Sequence, residues 1–168
     1  MLYQCWRRGV SASSIESFDV DEMVISAIGI AEPSFAERGI TVRTVHPERL
    51  AIVDADRERI LQVMVNLLIN AAKYADKDTV TDVIVSVEQH EVRVEVADRG
   101  AGIEKSELEA VFENFYRTKS ARISRVSGSG LGLSIAKGFI EAQGGRIWAD
   151  STVGEGSKFI FTLPLVVS

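Results

Sequence analysis

Cross-linking residues are nearly absent from this chain. One cysteine, Cys5, stands among 168 residues, which excludes an internal disulfide and a cysteine metal cluster and fits a reducing compartment. Positive charge is also short. A formal net charge of −5 and a pI near 5.1 argue against a nucleic-acid surface. No apolar run is long enough to span a bilayer, and the opening "MLYQCWRRGVSASS" lacks the continuous apolar core of a secretion signal. The expectation is a cytoplasmic segment without direct membrane contact, any anchor of a full-length protein lying outside it. No internal repeat or low-complexity tract is present. What remains is an ordinary globular composition, 46% hydrophobic and 26% charged. A chain of this length buries about two thirds of its unfolded surface, most simply in one domain.

Apolar periodicity divides the chain. Residues 1–17, with the small polar run "SASS", read as a tail or linker. Residues 18–39 are helical in pattern, with Asp19 or Asp21 as N-cap, Gly39 as stop and Pro33 forcing a kink or break. "ITVRTVH" and "LAIVDA" read as short strands separated by a turn at Pro47, and 56–75 as a long helix. Residues 81–98 read as two strands joined near His90. "KSELEAVFENFY" reads as a short helix, 117–130 as a polar loop, and "LGLSIAKGFIEAQGG" as a helix with a glycine stop. "RIWADS" and "SKFIFTLPLVV" follow as strands across "VGEG". Interleaved strands and helices predict an α/β sandwich, one helical layer on a sheet.

Three clusters carry chemistry. In the 56–75 helix, Gln62, Asn66, Asn70 and Lys73 fall on a stripe roughly 80° wide at helical spacing. Nearly everything else from Ile60 to Ala75 is apolar, so the helix reads as buried on most sides. The bland reading has the asparagines bonding to neighbouring backbone. The pairing of two, a turn apart and with Lys73 beyond, favours a ligand. Amide oxygens suit Mg2+ and an ammonium suits phosphate. In "ADRGAGI", Asp98 ends a strand beside Gly100 and Gly102. An isolated Asp-x-Gly is as often a solvated strand end. Here, with Gly154 and Gly156 also between strands, a carboxylate accepting from an exocyclic amine while a flat ring approaches bare backbone is the sharper reading. In "SGSGLGLSIAKGF", glycines at alternate positions enter a helix, an arrangement that brings backbone N–H groups against an anion.

These stretches together resemble the catalytic ATP-binding domain of bacterial sensor histidine kinases, within the wider group that includes gyrase B subunits, heat-shock 90-type chaperones and mismatch-repair ATPases. "QVMVNLLINAAKYA" is similar to the asparagine box and "DRGAGI" to the first glycine box. "VFENFYR" is similar to the phenylalanine box, "GSGLGL" to the second glycine box, and "GEGSKFIFTLP" to the last glycine-rich motif. All five occur in the family's order between Phe18 and Leu165. Two competing nucleotide signatures, a P-loop Gly-Lys-Ser/Thr and a G-x-G-x-x-G, are missing. The resemblance implies a two-layer α/β sandwich with a mixed sheet, ATP and Mg2+ as cofactors, and a catalytic unit over 18–168. Residues 1–17 would then be a linker or the tail of a dimerisation and phosphoacceptor domain.

By position, the resemblance implies that Asp98 accepts from the adenine amine with Ser157 supporting it, where the family more often has Thr. It makes Asn70 the principal Mg2+ ligand and Asn66 a second or water-mediated one. Lys73 and Arg117 contact the phosphates in catalysis, and Tyr74 lines the pocket. Gly100, Gly102 and Ile103 of the first glycine box, with Lys119, Gly128, Ser129, Gly130, Leu131, Gly132 and Leu133, complete the nucleotide contacts. The basic run Arg117, Lys119, Arg122, Arg125 has no acidic residue and sits at the family's ATP lid. Its bland reading is solvated surface. As a lid, it should show slower amide exchange across Ser120–Ser129 with a non-hydrolysable ATP analogue than with ADP. Equal protection by both nucleotides would make it surface only. Phe112 and Phe115 are expected to anchor the lid's entrance in apolar packing.

Two departures bear on mechanism. ATP-hydrolysing members of the group carry a Glu one turn before the metal-binding Asn, and this chain has Asn66 there. The sequence therefore resembles a phosphodonor for a histidine rather than an ATPase. The family's acceptor-histidine box is also missing: His46 in "TVHPERL" and His90 in "VEQHEVR" read as structural or surface residues. The implied partners are a phosphoacceptor histidine domain, in the same protein or in trans, and a response regulator downstream. The isolated domain would be a monomer and the full-length protein a homodimer. The alternatives are a stand-alone serine kinase of the anti-sigma-factor type and a nucleotide-binding module that has lost catalysis. The phenylalanine box and basic loop count against the former, and Asn70, Lys73 and Asp98 against the latter.

Overall fold

The computed structural model describes residues 14–114, 116–118 and 132–166. In chain order it runs through β1 (Ile15–Asp19), α1 (Val20–Ala36), β2 (Thr41–Val45), β3 (Ile52–Asp56) and α2 (Arg57–Tyr74). After these come β4 (Val80–Glu88), β5 (Glu91–Ala97), two short 3-10 turns (Lys105–Glu107, Ala110–Phe112), α3 (Gly132–Ala142), β6 (Arg146–Thr152) and β7 (Gly156–Pro164). Five strands form one sheet in the order β2-β4-β5-β7-β6. β2 and β4 are parallel, and every other neighbour is antiparallel.

Strand alternation divides the sheet into two faces. Val83, Val85, Val92, Val94, Val96, Phe159, Phe161 and Leu163 are buried on the face that meets the helices. The other face carries ion pairs: Arg43–Asp82 at 2.6 Å, Lys158–Glu95 at 3.4 Å and Arg146–Glu91 at 3.2 Å. The expected α/β sandwich is the observed one. α1 turns Val20, Met23, Val24, Ala27, Ala31 and Phe35 inward, the spacing of one helical face. Asp19 caps it by accepting from the Asp21 N–H at 3.0 Å.

Four expectations about elements are corrected. Residues 15–17, read as the end of a tail, are strand, and Ile15 to Asp19 pair with Asp56 to Ile52 in a separate two-stranded sheet. Pro33 does not break α1, which continues to Ala36. Its missing N–H would have met the carbonyl of Gly29, and both residues are exposed, so water can serve that carbonyl. The stretch 105–112 makes two 3-10 turns in place of a helix. α2 is also less enclosed than its composition suggested. Ile60, Val63, Met64, Leu67, Leu68, Ala71 and Ala72 are buried, whereas Gln62 is exposed and Asn66, Asn70 and Lys73 are half-buried. The stripe borders a cleft instead of lying in the core.

Candidate nucleotide site

The site is built at one end of the inner sheet face, where α2, the turn after β5 and the β6–β7 turn meet. Asp98 directly follows β5. Its N–H donates to the Ser157 carbonyl at 2.9 Å, and the Ser157 N–H donates back to Asp98 Oδ1 at 3.3 Å. Asp98 is only 8% exposed. Burial pushes its carboxyl up from 3.8 to about 6, the Ser157 N–H opposing that rise and the Asp76 charge adding to it.

Ser151, near the end of β6, ties this floor together. Its hydroxyl oxygen accepts from the Ile103 N–H at 2.7 Å, donates to the Gly156 carbonyl at 2.7 Å and meets Ser157 Oγ at 3.2 Å. The Gly154 N–H donates to the Ala101 carbonyl at 2.8 Å. The first glycine-rich turn is thus pinned to the last. Gly100 bridges Ala75, and the Asp76 N–H donates to the Arg99 carbonyl at 2.8 Å. Those bonds bring the end of α2, with Lys73 and the 40% exposed Tyr74, beside the same turn.

At the other end of α2's stripe, Asn66 lies against the start of α3. A Cβ built on Gly132 would sit 2.5 Å from Asn66 Oδ1 and 2.7 Å from its Nδ2. The Nδ2 is buried with no hydrogen-bond partner among the described residues, a donor that an anion in the cleft can satisfy. Asn70 stands one turn further along α2 and half-buried. Leu133 packs on the core from α3, Ile103 is 9% exposed, and Arg117 is half-buried. Among the described residues no group of three His, Cys, Asp or Glu side chains could hold a metal ion. Asn66 and Asn70 offer amide oxygens, hard donors of the kind Mg2+ takes alongside phosphate and water.

Asp98, Gly100, Gly102, Ile103 and Ser157 are thus brought together with Lys73 and Tyr74, while Asn66 meets Gly132 and Asn70 stands between the two groups on α2. Lys119, Gly128, Ser129, Gly130 and Leu131 lie outside the described residues, as do Phe115, Arg122 and Arg125 of the expected lid. Phe112 is core, edge-on to Phe159 with ring centroids 6.2 Å apart. His46 sits near the surface with Nδ1 2.9 Å from Asp21 and Nε2 3.1 Å from Thr44 Oγ1. His90 lies in the β4–β5 turn, its carbonyl taking the Leu165 N–H.

Two residues escaped the sequence reading. Ser151 is one polar residue in a strand, and only the β6–β7 register places it opposite Ser157. Arg38 donates from Nη1 to the Ala72 carbonyl at 2.8 Å and also reaches the Lys73 carbonyl. It closes the negative end of α2, in a helix with no terminal glycine to announce its stop.

Comparison with known proteins fits this geometry. Residues 55–167 match the family model of the histidine kinase-, DNA gyrase B- and HSP90-like ATPases. The sensor histidine kinase WalK of Bacillus subtilis is 42% identical over 120 residues, covering 70% of this chain and 20% of WalK. The adaptive-response sensory kinase SasA of Gloeothece citriformis is 41% identical over 132 residues, covering 78% of this chain and 33% of SasA. The chain thus spans about a fifth to a third of the length of these relatives. The nucleotide-free catalytic domain of histidine kinase ThkA superposes with a TM-score of 0.78 at 29% identity, covering 90% of this chain and 96% of that one. ThkA in complex with the response regulator protein TrrA gives 0.74 at 28% identity, covering 90% of this chain and 42% of that one. These relatives are two-component sensor kinases, which sets aside the anti-sigma serine kinase alternative. The chain belongs to the histidine kinase-, DNA gyrase B- and HSP90-like ATPase family, and within it carries the ATP-binding catalytic domain of the sensor histidine kinase type.

Proposed function

We propose that this chain binds MgATP and donates the γ-phosphoryl group to a histidine on a separate phosphoacceptor domain, from which it passes to a response regulator. The observation that carries the reading is the position of Asn66. It stands one turn before Asn70, against Gly132, where a hydrolytic relative would hold a water-activating Glu. An amide is no general base. An acceptor imidazole brings its own nucleophilic nitrogen, so the protein need only position the triphosphate and neutralise its charge.

Asp98 and Ser157 take the adenine end, with Tyr74 lining the pocket. Asn70, assisted by Asn66, would hold Mg2+, which would supply positive charge to offset that of the phosphates. Lys73 and Arg117 would face the phosphates, and the backbone of Gly132 and Leu133 would meet them at the N-terminus of α3. In this reading the catalytic unit begins with β1 at Ile15 and the residues before it are a linker or the tail of the acceptor domain. The unit works in the cytoplasm, monomeric alone and dimeric through the full-length protein. Among the described residues no helix is long and apolar enough to cross a membrane.

Incubating the chain with γ-labelled ATP, with and without a phosphoacceptor domain, tests this. Acid-labile label on the acceptor histidine is expected, with very slow phosphate release by the chain alone. ATP turnover at the level of a chaperone-type ATPase, or acid-stable label on serine, would overturn it. Asn66→Glu is expected to gain little hydrolysis, because the longer side chain would press on the Gly132 backbone.

A further inference from the structure

A hydroxyl has one proton and two lone pairs, and at Ser151 all three are assigned. The Gly156 carbonyl can only accept, so it takes the Ser151 proton; the Ile103 N–H can only donate, so it uses one lone pair. At the remaining contact, 3.2 Å from Ser157 Oγ, Ser151 has only its second lone pair to give. The proton there must come from Ser157. The Ser157 oxygen then faces its surroundings with lone pairs alone, beside the Asp98 carboxylate, whose Oδ1 is already an acceptor for the Ser157 N–H. Two side chains free to turn would form an adaptable floor. Ser151 removes that freedom.

We propose that Ser151 is a specificity-determining residue: by fixing the Ser157 hydroxyl as an acceptor, it makes the floor of the base pocket all-acceptor, selecting a base with an exocyclic amino group over its oxo counterpart. The inference rests on the nucleotide reading above and adds to it a residue that need not touch the base. An amino group donates to this floor. A 6-oxo purine turns a carbonyl oxygen toward lone pairs that cannot rotate into donors, and two facing acceptors leave a buried polar group unpaired. Removing the Ser151 hydroxyl frees the Ser157 proton to turn toward that carbonyl.

The test is calorimetric, with MgATP and MgITP titrated into the chain and its variants. The native chain should prefer ATP. In Ser151→Ala the ATP:ITP affinity ratio should fall by about tenfold, mainly because ITP binds better, and Ser151→Thr, which keeps the hydroxyl, should restore it. A role confined to holding the two glycine turns together would weaken both nucleotides alike and leave the ratio unchanged, which would overturn the proposal. Should Ser151→Ala lose its fold by circular dichroism, Ser157→Ala decides. Deleting the fixed acceptor should also lower the ratio, and an unaltered ratio counts against the inference. No ATP binding by the native chain would overturn the nucleotide reading itself, a result separate from a native ATP preference that Ser151→Ala leaves intact.

Discussion

Asp98→Asn should weaken ATP binding roughly 10- to 100-fold while making the empty domain more stable at neutral pH. The two effects share one cause. In the proposed role the carboxylate accepts from a base amine, but it is buried, and its folded pKa of about 6 lies above the ordinary 3.8. For an acid raised in this way the folded state binds its proton more tightly than the unfolded state. Stability therefore falls as pH rises from about 4 to about 6 and stays reduced above that. Asparagine has no such titration, yet its oxygen can still take the Ser157 N–H.

Thermal melts should place the variant above the native chain by about 1–3 kcal/mol at pH 7, the gap closing as pH drops from about 6 to about 4. Native ATP affinity should decline as pH is lowered through 6, and the variant's should not. The same substitution should erode the preference for adenine, since an amide can present a donor where the carboxylate cannot. Unchanged calorimetric affinity would remove Asp98 from the site. A variant less stable than the native chain at pH 7 would mean that the charge is better compensated than its burial implies.

Gly156→Ala should be the most damaging change among the described glycines, combining a positive φ with a backbone collision. Gly156 has φ 132°, and a Cβ there would lie 2.0 Å from the Asp98 carbonyl oxygen, a backbone atom held by the β5–β7 ladder. The collision cannot be relieved by turning a side chain, so a loss of about 2–4 kcal/mol is expected, together with measurable ATP binding. Gly154→Ala is the control. Gly154 also has positive φ, 85°, but nothing lies within 4 Å of its Cβ position. It should lose only about 1 kcal/mol and keep its nucleotide affinity. Equal damage from both would show that backbone strain, not the approach to Asp98, explains the glycines of this turn.

The contrast between these two glycines marks how far the sequence could be read. Apolar periodicity located α1, α2 and the strands of the main sheet because each buries one face at a fixed period. Spaced polar residues on that pattern exposed Asn66, Asn70 and Asp98 as residues with work other than packing. β1 stayed hidden because its five residues alternate weakly and gain a partner only from β3, distant in sequence. The exposure of Gln62 was misread because an apolar composition cannot say which side of a helix its neighbours cover. Ser151 and Arg38 were illegible for the same reason: what each does depends on a partner in another element. Ser151 acts through Ile103 and Gly156, and Arg38 through the end of α2. A local pattern carries no trace of such pairings.

The pairing of Asp98 with Ser157 spans 59 positions, and that distance has a consequence in time. A ribosome adding about 5–20 residues per second releases the carboxylate roughly three to twelve seconds before the serine that will hold it. Throughout that interval β5 has β4 beside it but lacks β7, so the floor of the pocket does not yet exist. Helix α2, with both asparagines, is already complete. The asparagine stripe of the cleft is therefore made early, and the floor beneath Asp98 is completed last. A nascent chain completes the Asp98–Ser157 floor only when β7 joins the sheet.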